Sequence, residues 1–335
     1  MRKLKEWYVN FLEKDKKNII EKIIYFFLFL LSAVYGAIVT CRNLLYNKGV
    51  FKTYKCRGKL ISIGNISWGG SGKTTLSFFL YQKLTPELKV AVLRRGYGSD
   101  EGKMFEEKNM KVFTSIDRIG LAKELSDKFD LFILDDGFQY RKLYRDINIL
   151  VMAARELKTK IQLLPAGGFR EPLSALGRAD ILIINHKKEI ESIDELTNRL
   201  QLRFKQLSIY TADYKFKKIM DTNHNQIDLK FIKEKKLAAV TGIGYPQGFF
   251  NKLEESGIKI CKKITYPDHY NLTLEEFNSL QENLIKEGIR DVLITGKDKY
   301  HLPETGSKIN FYIFDIEMEI SEEKKFLEDL RNKLK

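Results

Sequence analysis

At 335 residues the chain is long enough for two ordinary domains, each burying its own core. A hydrophobic share of 44%, a charged share of 30% and only 6 prolines exclude a disordered, linker-rich chain. A net charge of +14 calls for an anionic partner, which could be nucleic acid, a membrane surface or a phosphorylated substrate.

The charge comes without zinc-finger spacing, an RNP-like aromatic strand or a recognition helix, so no nucleic-acid partner is expected. Cys41, Cys56 and Cys261 are scattered, fit a reducing cytosol and form no disulfide framework. His186, His224, His269 and His301 are too dispersed for a zinc site.

The chain begins with Leu4, Trp7, Tyr8, Phe11 and Leu12 on one helical face and lysines elsewhere, the pattern of a helix lying in a membrane interface. Residues 23–39 form an uncharged apolar run of roughly 17 residues, the lower limit for crossing a bilayer, so a span and a half-buried hairpin both fit. Arg42, Lys48, Lys52, Lys55, Arg57 and Lys59 follow without an acidic residue, which suits the anionic cytoplasmic face of a membrane. A buried N-terminal helix is the competing reading.

From residue 60 onward, short apolar runs alternate with amphipathic patterns, which predicts a parallel sheet covered by helices. Strands are expected at 60–64, 90–94, 131–135, 147–152, 181–185 and near 207–212, with helices starting near Gly72, Arg118 and Glu191. The charged stretch 214–236 reads as a connection between domains. A second α/β set follows, with strands at 237–241, 258–264, 292–295 and 311–316. Its helices fall at 247–256 and 274–287, and a closing helix starts at Ser321. The resulting domains are 1–45, which associates with the membrane, 46–215 and a smaller 216–335.

The strongest chemical signal lies between the first strand and the first helix. Ser67, Trp68, Gly69, Gly70, Ser71, Gly72, Lys73, Thr74 and Thr75 form a glycine-rich loop whose N–H groups can face a triphosphate at a helix N-terminus. Lys73 is placed to reach the β- and γ-phosphates of ATP, and the Thr74 hydroxyl to bind Mg²⁺. The strict pattern wants glycine where Ser67 stands. Asp135 and Asp136 end an apolar strand and supply the second metal-side acid that such a loop needs. Three further clusters stand out: Arg94-Arg-Gly-Tyr-Gly98, the Gly- and Pro-rich loop 164–172 with Arg170 and Glu171, and Tyr266-Pro-Asp-His-Tyr270. Each also fits an ordinary turn.

Taken in order, these segments resemble the tetraacyldisaccharide 4′-kinase family of lipid A biosynthesis, over about residues 31–302. The resemblance rests on the apolar N-terminal helix, Gly64-Asn-Ile-Ser-Trp-Gly-Gly-Ser-Gly-Lys-Thr74, Arg95-Gly-Tyr-Gly98, Asp135-Asp-Gly-Phe-Gln139, the loop 164–172, Gly242-Ile-Gly-Tyr-Pro246, Asp268-His269 and Thr295-Gly-Lys-Asp298. The family also carries a hydroxyl residue at the position of Ser67. The chain departs from it at Tyr140, Thr75 and Gly296, where the family has His, Pro and Glu. It is also shorter after Gly98, where the family has a longer segment and then Gly-Asp-Glu-Pro.

The resemblance implies a P-loop NTPase-type α/β/α sandwich, a second smaller α/β domain with a cleft between the two, and a membrane helix. It implies ATP and Mg²⁺ as cofactors and phosphorylation of the 4′-hydroxyl of an acylated glucosamine disaccharide 1-phosphate. Lys73 and Thr74 then grip ATP–Mg²⁺, Asp135 and Asp136 serve the metal side, and Arg170 and Glu171 line the site. His269 assists a catalytic carboxylate, for which Asp100 is the nominee because Asp100-Glu101 alone precedes Arg118 at a comparable distance. The expected enzyme is monomeric and sits on the cytoplasmic face of the inner membrane, at the anionic inner leaflet. Two other readings remain: a kinase for another amphipathic sugar or polyprenol, and a membrane-tethered P-loop ATPase that switches a partner.

Overall fold

The computed structural model describes residues 8, 11–12, 14, 17–68, 70–96, 100–158, 161–185, 193–268, 270–303 and 306–335, with backbone alone at Asp100 and Glu101. The chain divides into two units. Unit 1 comprises Met1–Tyr97, Met110–Asp213 and Ile320–Lys335, and unit 2 comprises Gly98–Asn109 and Tyr214–Glu319.

Unit 1 is built on strands β1 (Lys59–Gly64), β2 (Val90–Arg94), β3 (Val112–Thr114), β4 (Leu131–Asp135), β5 (Ile147–Ala153), β6 (Ile181–Asn185) and β7 (Ser208–Asp221). Their order is β7-β6-β5-β1-β4-β2-β3, all parallel. Register puts Leu60, Phe132, Leu150 and Leu182 on one face and Ile61, Ile133, Ile149 and Ile183 on the other. All eight are buried, so both faces are covered, as near-continuous apolar strands require. The P-loop helix Lys73–Leu84 packs on β1, β2 and β4. The closing helix Glu323–Leu334 also belongs to unit 1, where Phe326 meets Phe79 and Tyr210.

Unit 2 adds β8 (Gln226–Ile227), β9 (Leu237–Thr241), β10 (Ile260–Thr265), β11 (Asp291–Thr295) and β12 (Asn310–Ile320). The order β10-β9-β11-β12 is parallel, and β8 runs antiparallel to the distal end of β7. Phe277, Leu280 and Leu284 of the helix Leu274–Lys286 close one core against Val240, Val292 and Phe311. Thr273 and Glu276 start that helix with a reciprocal capping box, a motif legible in the sequence.

Three expectations change. The stretch read as a connection holds the distal half of β7: Lys215 and Lys217 form its exposed face and pair with Glu317 at 3.2 and 3.5 Å. The charges mark one side of a half-buried strand, not a linker. The helix Asp100–Glu107 and the short strand β3 lie where no element was expected. At the N-terminus, Phe11 is buried and the Tyr8 hydroxyl donates to the Pro165 carbonyl, so these two residues of the expected interfacial face pack on protein.

The N-terminal helix Ile19–Asn47 opens with an Asn18–Glu21 capping box and runs 29 residues, with an apolar stretch of mean hydropathy 2.3 inside it. By length and composition it can cross a membrane. Ile19, Ile23, Phe27, Leu31, Val34 and Ile38 are exposed. A narrow polar stripe faces the protein instead: Ser32 donates to the Leu163 carbonyl at 2.9 Å and Tyr35 to the Arg170 carbonyl at 2.9 Å. Gly36 permits the close approach, since a Cβ there would lie 2.9 Å from the Leu163 side chain.

Candidate active site

The phosphate loop leaves the carboxyl end of β1 between β4 and β5, the place where parallel sheets bind ligands. Gly64 is required there, because a Cβ would lie 2.4 Å from that of Phe138. The loop is held from several sides. Gln139 donates to the Asn65 carbonyl (2.8 Å), Asn185 to the Ser71 carbonyl (3.2 Å) and the Asn65 amide to the Ser71 hydroxyl (3.2 Å). Ser67 pairs with Phe169, and the Trp68 and Arg170 N–H groups donate to the Gly168 and Ile66 carbonyls at 2.6 and 2.7 Å. The loop 164–172 is therefore zipped to the phosphate loop, which explains its Gly- and Pro-rich composition and fixes Arg170.

Gly72 caps the P-loop helix with φ +92°, a conformation that suits glycine. No side chain caps this helix, and its first turn has no acidic residue, so its leading N–H groups are available to an anion. Ser67 and Ser71 are buried, Trp68 is exposed, and Lys73, Thr74 and Thr75 are half-buried around the helix start. A Cβ at Gly70 would meet nothing within 4 Å, so there is open space above the loop. Gly69 lies outside the described residues.

Asp135 and Asp136 occupy different surroundings. Asp135 is buried, receives Arg94 Nε at 3.0 Å and accepts from the Ser77 hydroxyl at 3.3 Å. Asp136 is exposed in the left-handed region (φ +48°), with Lys73 Nζ 3.6 Å and Arg170 3.3 Å from its carboxylate. Desolvation by the surrounding loops would push the Asp136 carboxyl up. Lys73, Arg170 and Arg118 together hold it below its ordinary range.

Arg118, which the sequence reading used only as a helix start, is the site's least expected member. It is buried, its guanidinium lies 3.8 Å over the Tyr140 ring, and its Nε and Nη1 have no hydrogen-bond partner among the described residues. Burial pushes this guanidinium down from its ordinary value, and the charges of Asp136 and Asp135 oppose that. Glu156 is a second addition. Burial pushes its carboxyl up, opposed by Ser67, by the Ala153 N–H that donates to it at 3.1 Å, and last by the charges of Arg155 and Lys73. No motif marks either residue, because each is isolated in sequence.

Glu171 is fully buried, and its carboxylate is committed to Arg178 (2.5 Å), Asn43 (2.8 Å) and Arg42 (3.4 Å). It thus joins the loop to the end of the N-terminal helix. In unit 2, Asp298 is buried and ties the ends of β9 and β11 by accepting from Thr241, Gly242 and Thr295. Asp268 pairs with Lys297 at 3.2 Å. Asp100 opens the helix Asp100–Glu107, but its side chain and the whole of His269 lie outside the described residues.

The donor set fits a nucleoside triphosphate, with an uncapped helix N-terminus, Lys73, Arg170 and a loop open at Gly70. The Thr74 hydroxyl and the Asp136 carboxylate are hard oxygen donors, the kind that Mg²⁺ prefers.

A family model described as tetraacyldisaccharide-1-P 4′-kinase (LpxK) matches residues 24–108 and 99–335. The two stretches share the region where the chain is shorter than the family pattern. The tetraacyldisaccharide 4′-kinase of Halothermothrix orenii is 28% identical, with 95% of each chain covered. That of Aquifex aeolicus is 32% identical over 84% of this chain and 97% of its own. Among solved structures, that of the "apo" form of LpxK from Aquifex aeolicus in complex with ATP matches with a TM-score of 0.73 and 28% identity. It covers 93% of this chain and 100% of that one.

Proposed function

The chain belongs to the tetraacyldisaccharide-1-phosphate 4′-kinase family, and from that premise we propose how its own residues divide the work. It is a phosphotransferase of lipid A biosynthesis that uses ATP and Mg²⁺ to phosphorylate the 4′-hydroxyl of an acylated glucosamine disaccharide 1-phosphate.

The triangle of Lys73, Asp136 and Arg170 at the head of the P-loop helix carries the reading. Asp136 holds both cations until phosphate takes its place. Lys73 and Arg170 then neutralise the negative charge that spreads over the transferring group, and the first-turn N–H groups assist. Mg²⁺, when bound, would offset the negative charge of the phosphates. Thr74 and Asp136 are its ligands in this assignment. Asp135, engaged by Arg94 and Ser77, orients its neighbour. Arg118, whose Nε and Nη1 find no partner among the described residues, suits an anionic group of the substrate.

Asp100 accepts the proton of the attacking hydroxyl, with His269 orienting it. Glu171 fixes the loop that presents Arg170. The helix Ile19–Asn47 holds the enzyme in the membrane, with the basic run Arg42–Lys59 on the cytoplasmic side against anionic lipid, and the enzyme acts as a monomer.

Purified protein given labelled ATP and a panel of lipid A precursors tests the assignment. Lys73→Ala should lower phosphate transfer at least about 10³-fold while melting behaviour is unchanged. Chelation of divalent ions should abolish transfer, and Mg²⁺ should restore it. Rapid ATP hydrolysis without lipid would favour a switch ATPase instead, and normal turnover in Lys73→Ala would overturn the phosphate-loop assignment.

A further inference from the structure

The helix Ile19–Asn47 is apolar on most sides in sequence, yet its surroundings give it two distinct faces. Tyr25, Leu28, Ser32, Gly36, Val39 and Asn43 recur at helical spacing, and each is buried or half-buried. Opposite them, Ile19, Ile23, Phe27, Leu30, Val34 and Ile38 are all exposed. The protein thus runs alongside the helix instead of hanging from one end of it.

The middle of the helix fixes its depth. Ser32 and Gly36 stand near the centre of the apolar run 23–39, within about 8 Å of it along the axis. Both lie against Leu163, and Ser32 donates to its carbonyl at 2.9 Å. The loop that follows Leu163 is tied to the phosphate loop by the Ser67–Phe169 bridge and by the Trp68 and Arg170 N–H groups. If the helix crossed a bilayer, this loop would lie close to the midplane, with Lys73, Asp136 and Arg170 beside it. Irregular backbone is not exposed to lipid at that depth, charged side chains are costly there, and ATP would have no route from water.

The residues before the helix return toward the same loop. Lys14 Nζ pairs with Glu21 at 2.7 Å. Lys17 Nζ lies 5.3 Å over both the Phe11 and the Tyr25 rings, and Phe11 is buried. The Tyr8 hydroxyl donates to the Pro165 carbonyl, next but one to Leu163, and the Tyr8 ring stands 6.4 Å from that of Trp68. Successively earlier residues meet successively later ones, the order of an antiparallel hairpin. Positive charge flanks the apolar run on both sides, with Lys14, Lys17 and Lys22 before it and Arg42, Lys48 and Lys52 after it. Balanced flanks suit a segment whose two ends both stay inside. The family match begins at residue 24, so the returning arm lies outside it.

We propose that this region is a hairpin lying in one leaflet, with both arms on the cytoplasmic side and the exposed apolar face sunk among the acyl chains of anionic phospholipid. This rests on the membrane-bound reading given above and deepens it. The phosphate loop then stands at headgroup depth, where ATP reaches it from water. A lipid disaccharide can present its hydroxyl there without leaving the leaflet.

Full-length enzyme carrying Cys41→Ser and Cys261→Ser, which leaves only the buried Cys56, tests this through added cysteines. Lys22→Cys and Lys48→Cys, before and after the apolar run, should both react with a membrane-impermeant maleimide in inverted inner-membrane vesicles. Neither should react in spheroplasts. In vesicles containing phosphatidylglycerol, spin labels at Ile23, Phe27, Leu30, Val34 and Ile38 should all report the same depth. Trp7→Phe leaves Trp68 as the sole tryptophan. In that background, Tyr8→Ala should red-shift Trp68 emission and raise its quenching by acrylamide.

Labelling of Lys22→Cys in spheroplasts, or a depth profile deepest at Leu30 and shallow at Ile23 and Ile38, would show a transmembrane span and overturn the proposal. Spin labels that stay in water throughout would place the helix outside lipid and overturn it as well. Unchanged Trp68 fluorescence in Tyr8→Ala would remove the returning arm, and the hairpin with it. None of these readouts needs turnover, so a protein that inserts in this way but transfers no phosphate would overturn the kinase assignment alone.

Discussion

Asp136 combines a strained backbone with a charge shared among three cations. A left-handed φ costs a non-glycine residue about 1–2 kcal/mol, and Asp and Asn bear it best. Asp136→Asn therefore keeps the backbone and removes only the charge. A carboxylate whose folded pKa lies below its unfolded value stabilises the fold above the unfolded value. That contribution is lost as pH falls through the folded one. Asp136 is such a group, through Lys73, Arg170 and Arg118. Asp136→Asn should melt a few degrees below wild type at neutral pH, and the gap should close as pH falls below the ordinary carboxylate range and through the lowered folded pKa. Thermal melts across that range check it; a gap independent of pH would show that the carboxylate gains nothing from its neighbours. The adjacent pair Asp135-Asp136 looks uniform in sequence. Only the structure separates them, with Asp135 buried against Arg94 and Asp136 exposed beside Lys73.

Among the elements, the N-terminal helix shows best what the sequence could and could not tell. Its apolar length was plain from composition, and so were the phosphate loop and the β4 carboxylates, because local spacing encodes them. The polar stripe of Ser32, Tyr35, Arg42 and Asn43 was not, since its partners lie more than a hundred residues away. Helix Asp100–Glu107 escaped for a related reason: it is short, charged and held by distant residues. The stripe gives the helix a second task beyond anchoring. Removing residues 1–47 takes Arg42 and Asn43 from the fully buried Glu171 and two donors from the loop that carries Arg170. The truncated protein should lose most of its activity even in detergent. Limited proteolysis should open the loop 161–171 first, and the loss of a buried partner should cost about 3 kcal/mol. Full activity of the truncated protein in detergent would confine the helix to an anchoring role.

At the scale of the whole molecule, neither unit is a continuous stretch of chain, and the crossings at Asp213/Tyr214 and Glu319/Ile320 fall inside β7 and β12. The closing helix returns to unit 1, with Phe326 and Leu330 fully buried, the Tyr210 hydroxyl bonded to Asp329, and Arg331 paired with Glu87 at 2.6 Å. This return sets an order of events on the ribosome. Chain synthesis at about 5–20 residues per second delivers the helix that completes the first unit's core only after the whole of the second unit. Until that helix emerges, the nascent chain displays Phe79 and Tyr210 without their cover. Stop codons that remove residues 322–335 should therefore yield aggregates or degraded protein rather than a soluble, slower enzyme. Pulse-labelled translation followed by sedimentation would show it. A soluble truncated kinase would mean that the first unit's core closes without its final helix.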